Sequence, residues 1–297
     1  MVGRTKAAVM DLTVLILTYN EELNLPYALE SVAGWADQII VVDSFSQDKT
    51  VDIAQSFGAE VYQNRFEDFV QQRNWAMEVP TYRHEWFLYI DADEEVSPEL
   101  KGEIMGMLAS VSNQVAGFEM QRQFFFLGKP LKHGISRNWF LRLIRRGRCR
   151  FVVGPHATEY AVIQGPSLRL KHDLIHRDRR SLSHWIQNQN RDTSKIALGL
   201  FQAGGRIEPP KLGRGETLEG RFRIWTNRIL LRMPLPVRCL IRFLALYILR
   251  RTFLDGGVGF AYCALHGFWQ PLLVGLKQQE FAVLGYALEE AKRAGWR

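Results

Sequence analysis

Trp86-Phe-Leu-Tyr-Ile-Asp-Ala-Asp-Glu-Glu-Val96 is the stretch on which the rest of the chain turns. Residues 86–90 are apolar and have the length of a buried strand, and they run without a break into Asp91 and Asp93. Charge that follows an apolar strand this closely marks either a turn or a site. In an extended segment alternate side chains point the same way, so Asp91 and Asp93 are spaced to share one cation, directly or through water.

Upstream, short apolar runs alternate with amphipathic helical ones, the pattern of βαβ units around a parallel sheet. Residues 12–18 read as a buried strand, 24–33 as a helix, 38–42 as a second strand and 48–57 as a helix. Residues 60–63 follow as a short third strand and 70–77 as a helix. The expected class is α/β. Ligands of open α/β sheets bind outside the carboxyl ends of the strands, which sets Thr18, Tyr19, Asn20, Asp43 and Asp91 along one rim.

The 297 residues, 47% hydrophobic, suffice for one large domain or for a domain with a sizeable appendage. Cys149, Cys239 and Cys263 are odd in number and widely spaced, which indicates neither a disulfide framework nor a zinc knuckle. With no apolar run of signal-peptide length in residues 1–11, a cytoplasmic protein is expected. The net charge of +7 conceals an asymmetry: residues 1–130 carry 9 basic against 20 acidic side chains, and residues 131–297 carry 29 against 11. An acidic half suits a site that gathers cations, and a basic half suits phosphates or an anionic membrane surface.

Residues 117–129 alternate as a further strand, followed by six arginines between Arg137 and Arg150, for most of which a solvated position is the default. Short strands are expected at 150–153 and 159–163, and a helix after Ser181. Residues 203–219, rich in Gly, Pro and charge, read as a linker between a domain over 1–202 and a basic amphipathic helical region over 220–297. The longest uncharged run within 221–255 is 243–249. That is far short of the roughly 20 residues of a membrane span, so these helices are expected to lie in an interface or to pack on the main domain.

Four segments carry a resemblance. Leu15-Ile-Leu-Thr-Tyr-Asn-Glu-Glu22, Ile40-Val-Val-Asp-Ser-Phe-Ser-Gln-Asp-Lys-Thr50, Gln72-Arg-Asn-Trp-Ala76 and Tyr89-Ile-Asp-Ala-Asp-Glu-Glu-Val96 resemble, in order and spacing, the family 2 glycosyltransferases. Arg142-Leu-Ile-Arg-Arg146, Leu174-Ile-His176 and Phe253-Leu-Asp-Gly-Gly-Val-Gly-Phe-Ala-Tyr262 are similar to the lipopolysaccharide-core β-1,4-glucosyltransferase subgroup. The resemblance implies a GT-A fold, with residues 1–202 as the catalytic domain, and an inverting single displacement from a nucleotide sugar.

It also implies residue roles. Tyr19, Asn20 and Glu22, beside Thr18, match the loop that holds base and ribose, Asp43 matches a carboxylate that contacts the nucleoside, and Arg73 sits near the base. Asp91 would contact ribose or metal-bound water, Asp93 would coordinate a divalent cation, Mn or Mg, and His176 would complete its shell. Arg142 would clamp the donor diphosphate or phosphates of a lipid-linked acceptor. Glu159 is the candidate general base, two residues removed from His156 where the subgroup has them adjacent, with Glu119 and Asp173 as alternatives. Phe45 departs from the family, which usually has glycine there, so either the turn is rearranged or the loop packs Phe45 against something.

The activity expected is sugar transfer from a nucleoside-diphosphate sugar, UDP favoured, to a glycolipid acceptor on the cytoplasmic face of an anionic membrane surface. A polyprenyl-linked or protein acceptor is the alternative. The rival class, a nucleic-acid-binding protein, lacks any recognition motif, and the arginines sit among large aliphatics rather than beside a stacking platform.

Overall fold

The computed structural model describes residues 10–134, 138–153, 159–202 and 233–284. The expected linker 203–219, Arg137 and His156 lie outside the described residues, as does the side chain of Glu159. Two compact units emerge. The first takes in the described residues up to 130, with 138–152 and 159–180; the second takes in 131–134 and the described residues from 181 onward.

The first unit begins with strands β1 (Met10–Thr18), β2 (Ala36–Asp43), β3 (Glu60–Gln63) and β4 (Trp86–Asp91), separated by helices α1 (Leu25–Val32), α2 (Thr50–Ser56) and α3 (Phe69–Glu78). There follow β5 (Glu94–Glu95), α4 (Pro98–Leu108), β6 (Gly117–Met120), β7 (Arg122–Phe126), β8 (Lys129–Pro130) and β9 (Phe140–Arg145). The unit closes with β10 (Cys149–Val153), β11 (Glu159–Ile163), β12 (Ser167–Arg169) and β13 (Leu174–His176). The main sheet has the order β12-β6-β9-β4-β1-β2-β3, with β5-β13-β7-β8 as a second sheet and β10-β11 as a ribbon.

β4, β1, β2 and β3 are mutually parallel, as the alternating helices require, whereas β9 runs antiparallel to both β4 and β6. Both faces of the parallel core are covered. Leu12, Val14 and Ile16 of β1 point to the side packed by α1 and α4, and Leu15 points to the other with Ile40, Val42, Tyr89 and Ala76. This is why β1 is apolar throughout rather than alternating. The α/β expectation holds, with a mostly parallel sheet and a helical C-terminal region.

Three expectations change. Residues 117–129 do not form one strand: β6 stays in the main sheet, and β7 joins the second sheet beside β13. The arginine-rich segment, expected at the surface, holds β9 in the middle of the main sheet, with Arg142 and Arg145 buried. Arg145 tolerates this because its Nε donates to Val115 O, its guanidinium lies 4.5 Å over the Trp86 ring and Glu85 pairs with it. Finally, helix α4 has no counterpart in the pattern read from the sequence, although Ser97 caps it by accepting from Leu100 N at 3.2 Å and Pro98 opens it.

The second unit contains α5 (Leu182–Gln202), α6 (Leu235–Leu244) continued by a π turn (Ala245–Leu249), a short 3-10 turn (Thr252–Asp255), α7 (Gly256–Tyr262) continued by a π segment (Cys263–Trp269), and α8 (Gln270–Leu284). The sequence pattern placed α5 with residues 1–202. It packs instead on α8, where Lys277 Nζ donates to Asn190 O, Asn190 Oδ1, Thr193 Oγ1 and Ser194 Oγ at 2.6–3.0 Å. By packing, α5 groups with the second unit, which resumes at Ser181. No described helix is long and apolar enough to cross a membrane.

Gly117 lets β6 approach β9: a Cβ there would lie 2.7 Å from Leu141 Cδ1 and 2.9 Å from the Leu143 carbonyl oxygen. Gly117→Ala is expected to cost about 1–3 kcal/mol in a urea unfolding experiment, because the backbone oxygen of a central strand has little room to retreat.

Candidate active site

The pairing of Thr18 with Asp43, and of Leu17 with Asp91, brings the carboxyl ends of β1, β2 and β4 to one level. Asp43 is fully buried there and accepts from Thr18 Oγ1 at 3.0 Å, Ser46 N at 2.9 Å, Ser46 Oγ and Gln63 Nε2 at 3.4 Å. The two rim loops are laced together. Asn20 N donates to Ser46 Oγ, Gln47 N to Asn20 Oδ1, Glu21 N to Thr50 Oγ1 and Glu22 N to Asp48 Oδ2, at 2.8–3.1 Å. Phe45 keeps the left-handed conformation, φ 61°, and its ring is 52% exposed, so the turn neither avoids the strain nor packs the ring away. The anchored carboxylate of Asp43 holds a conformation that costs an L residue about 1–2 kcal/mol. Tyr19 presents an exposed ring beside it.

A buried charge cluster stands at the end of β4. Arg142, on β9, reaches Asp91 Oδ2 at 2.7 Å and Glu94 Oε1 at 2.8 Å through its Nη2. Arg122 Nε lies 2.8 Å from Glu94 Oε1, and Arg73 and Arg122 each come within 3.6 Å of Asp91. Tyr89 Oη donates to Asp91 Oδ1 at 3.0 Å, and the Glu94 carboxylate accepts Asp91 N at 2.9 Å. Burial alone would raise the Asp91 carboxyl, but Arg142, then Arg73 and Arg122, outweigh it and hold Asp91 well below the usual carboxylate range.

Asp93 faces a different set. Its Oδ1 lies 3.5 Å from Nδ1 of His176, which is buried without a hydrogen-bond partner. The antiparallel pairing of β13 with β5 sets His176 across from Glu94, and the imidazole stacks on Phe124 at 4.9 Å. Burial raises the Asp93 carboxyl, His176 opposes this, and Asp91 and Asp178 add to it. Nearby, Glu21 accepts from Arg180 Nη1 and Asn24 Nδ2, both at 2.9 Å. Its carboxyl is pushed up to about 7, chiefly by burial, with Arg180 and Asn24 opposing. A carboxylate oxygen facing an imidazole nitrogen without a hydrogen-bond partner is a donor pair of the kind that can ligate one divalent cation. Among the described residues no group of three or more His, Cys, Asp or Glu is arranged to hold a metal.

Residues 13–159 match the family described as Glycosyl transferase family 2. The match takes in just under half of the chain. Curated relatives agree in kind: an uncharacterized glycosyltransferase of Rickettsia bellii is 43% identical over 99 residues, 33% of each chain. A prophage-derived glycosyltransferase, SunS, of Bacillus subtilis is 38% identical over 105 residues, 34% of this chain and 24% of that protein. The similarity thus spans about a third or less of the length of these relatives. Among solved structures, a mannosyltransferase from Pyrobaculum calidifontis in complex with GDP-Man and Mn2+ covers 92% of this chain and 88% of its own, at 14% identity and TM-score 0.47. S. aureus TarS with UDP-GlcNAc covers 96% and 92%, at 15% identity and TM-score 0.43.

At the carboxyl edge of the sheet, the rim collects Thr18, Tyr19, Asn20, Glu22, Asp43, Asp91 and Asp93, with His176 added from β13. Arg73 lies 4.2 Å over the Tyr89 ring and 5.2 Å over Phe151, inside the Asp91 cluster. Arg142, expected as a diphosphate clamp, faces carboxylates. It is 1% exposed, with its Nη2 shared between two carboxylates, so what it positions is Asp91. Glu119 is engaged by Ser167 and Arg169. Sequence reading assigned no role to Glu94, Arg122, Glu21 or Arg180. The signal for the last pair was the run Arg177-Asp178-Arg179-Arg180 directly after β13, where Asp178 binds both Arg180 and Asn24.

Removing Arg142 takes the nearest counter-charge from Asp91 and one of two from the buried Glu94. Arg142→Met is expected to destabilise the protein by about 3–5 kcal/mol in urea unfolding at neutral pH. The loss should shrink in acid, as Asp91 and Glu94 take up protons and no longer need the counter-charge.

Proposed function

We propose that this protein is an inverting glycosyltransferase that moves a sugar from a nucleoside-diphosphate sugar, UDP favoured, to a membrane-associated glycolipid. The observation that carries the reading is Asp93 facing the unpartnered Nδ1 of His176 at the carboxyl edge of a family 2 domain. Asp93 and His176 would hold a divalent cation, which offsets the charge developing on a leaving diphosphate.

The chain's own residues supply the rest. Asp91 stays ionised under three guanidinium groups and would contact the donor's ribose or metal-bound water. The Thr18–Asp43–Ser46 network fixes the two loops that flank a nucleoside, and Tyr19 offers its ring, with Asn20 and Glu22 beside it. Glu159, at the start of β11, is the proposed general base that takes the proton of the acceptor hydroxyl. The basic C-terminal region supports an acceptor carried on an anionic surface on the cytoplasmic side.

Titration calorimetry with UDP in the presence of Mn2+, and donor hydrolysis across UDP-, GDP- and ADP-sugars, test this directly. Asp93→Ala and His176→Ala are expected to abolish Mn2+-dependent UDP binding and to lower donor hydrolysis by at least about 100-fold. Full activity in Asp93→Ala, with no UDP binding by the intact protein, would overturn it.

A further inference from the structure

The outer side of α6 and the turn that follows it is apolar. Val237, Leu240, Ile241 and Leu244 recur at helical spacing, Ile248 prolongs the line through the π turn, and all five are exposed. Leu249, 78% exposed, and then Phe253 and Leu254 extend this surface. The opposite side of α6 carries Cys239, which is completely buried within the second unit. The stripe is therefore not the face by which the unit holds itself together.

Charge identifies what it meets. Residues 235–254 contain Arg238, Arg242, Arg250 and Arg251 and no acidic residue. Arg238 and Arg242 lie one turn apart along the flank of the stripe, and Arg250 and Arg251 are exposed at its end. A second copy meeting this face about a two-fold axis would bring guanidinium groups against one another. A bilayer of anionic phospholipid answers both features, because it accepts leucine and phenylalanine side chains at the acyl boundary and places phosphates level with flanking arginines. No described helix can span, which leaves a helix lying in the plane of the surface.

We infer that α6 and the segment through Leu254 are a membrane-docking face that inserts this apolar stripe into an anionic phospholipid surface, with the four arginines at headgroup level. The inference deepens the membrane-acceptor part of the proposed function and rests on it. The side chains concerned belong to the second unit, whereas those of the candidate active site belong to the first.

The test is flotation of the full chain with vesicles of phosphatidylglycerol and phosphatidylcholine, beside vesicles of phosphatidylcholine alone, with donor hydrolysis measured in parallel. The intact protein should float with the anionic vesicles and not with the neutral ones. Leu240→Ser/Leu244→Ser should lower partitioning by at least about tenfold while keeping its far-ultraviolet circular dichroism and its donor hydrolysis. Arg251→Gln, a milder change, should weaken flotation and make its loss with salt shallower. Absence of flotation by the intact chain, equal binding to both vesicles, or unchanged flotation of the double variant would each overturn the docking face. A dimer in sedimentation that the double variant dissociates would overturn it too, assigning the stripe to self-association. Absent donor hydrolysis with normal flotation would instead count against the transferase reading and leave the docking face standing.

Discussion

Arg142 reaches two carboxylates with one nitrogen, and the carboxyl edge of the sheet is organised around that contact. Taking Asp91 and Glu94 out of water carries a penalty of several kcal/mol for each ion, which attraction recovers only when opposite charge sits at hydrogen-bonding distance. Arg142 supplies it from β9, Arg122 from β7 and Arg73 from α3, so three elements far apart in sequence converge on the end of β4. The cluster ties the antiparallel strand β9 to the end of β4, the side from which the Arg142 guanidinium approaches. It also divides labour between two residues that look equivalent in sequence. Asp91 is held by arginines, while Asp93, two residues on, is left facing an imidazole.

The parallel half of the fold was legible because its signals are local. β1, β2, β3 and β4 are apolar runs of strand length, and the helices between them are amphipathic, so the rim made by Thr18, Asp43 and Asp91 follows from strand ends alone. The antiparallel half was not legible for a specific reason. Arg142 and Arg145 make β9 look like a solvated segment to any measure that equates charge with surface, and their partners, Glu94, Glu85 and the Val115 carbonyl, are 30 or more residues away in sequence. Similarly, β7 and β13 meet only through long-range pairing, so the placement of His176 near Asp93 rests on the fold rather than on spacing. The burial of Arg142 and the cation–π contact of Arg73 with Tyr89 are likewise products of the fold that spacing does not reveal.

The division of charge along the chain takes on a different meaning once pairs are assigned. Arg142, Arg145, Arg179 and Arg180 all belong to the basic second half of the sequence, yet they pair with Asp91, Glu85, Glu95 and Glu21 of the acidic first half. Much of the asymmetry is thus internal complementarity, consumed in holding the domain together. The arginines on α6 and its following turn have no such carboxylates within their own segment, and they accompany an outward apolar stripe. The same residue type serves as structural counter-ion in one unit and as surface charge in the other.

Asn74, in the middle of α3, accepts Phe151 N and donates to Phe151 O, both at 2.9 Å. A side-chain amide thereby stands in for a neighbouring strand at one residue of the β10-β11 ribbon. Two-stranded ribbons have little intrinsic resistance to register slippage, because a shift by one residue exchanges the two faces while preserving most ladder bonds. Here a slip would break both amide bonds, expel the buried Phe151 ring from beside Tyr89 and Arg73, and offer Arg150 or Val152 in its place. The helix that carries Gln72-Arg-Asn-Trp-Ala76 therefore works as a ratchet pawl, fixing the ribbon's register and, with it, where the chain re-enters at Glu159.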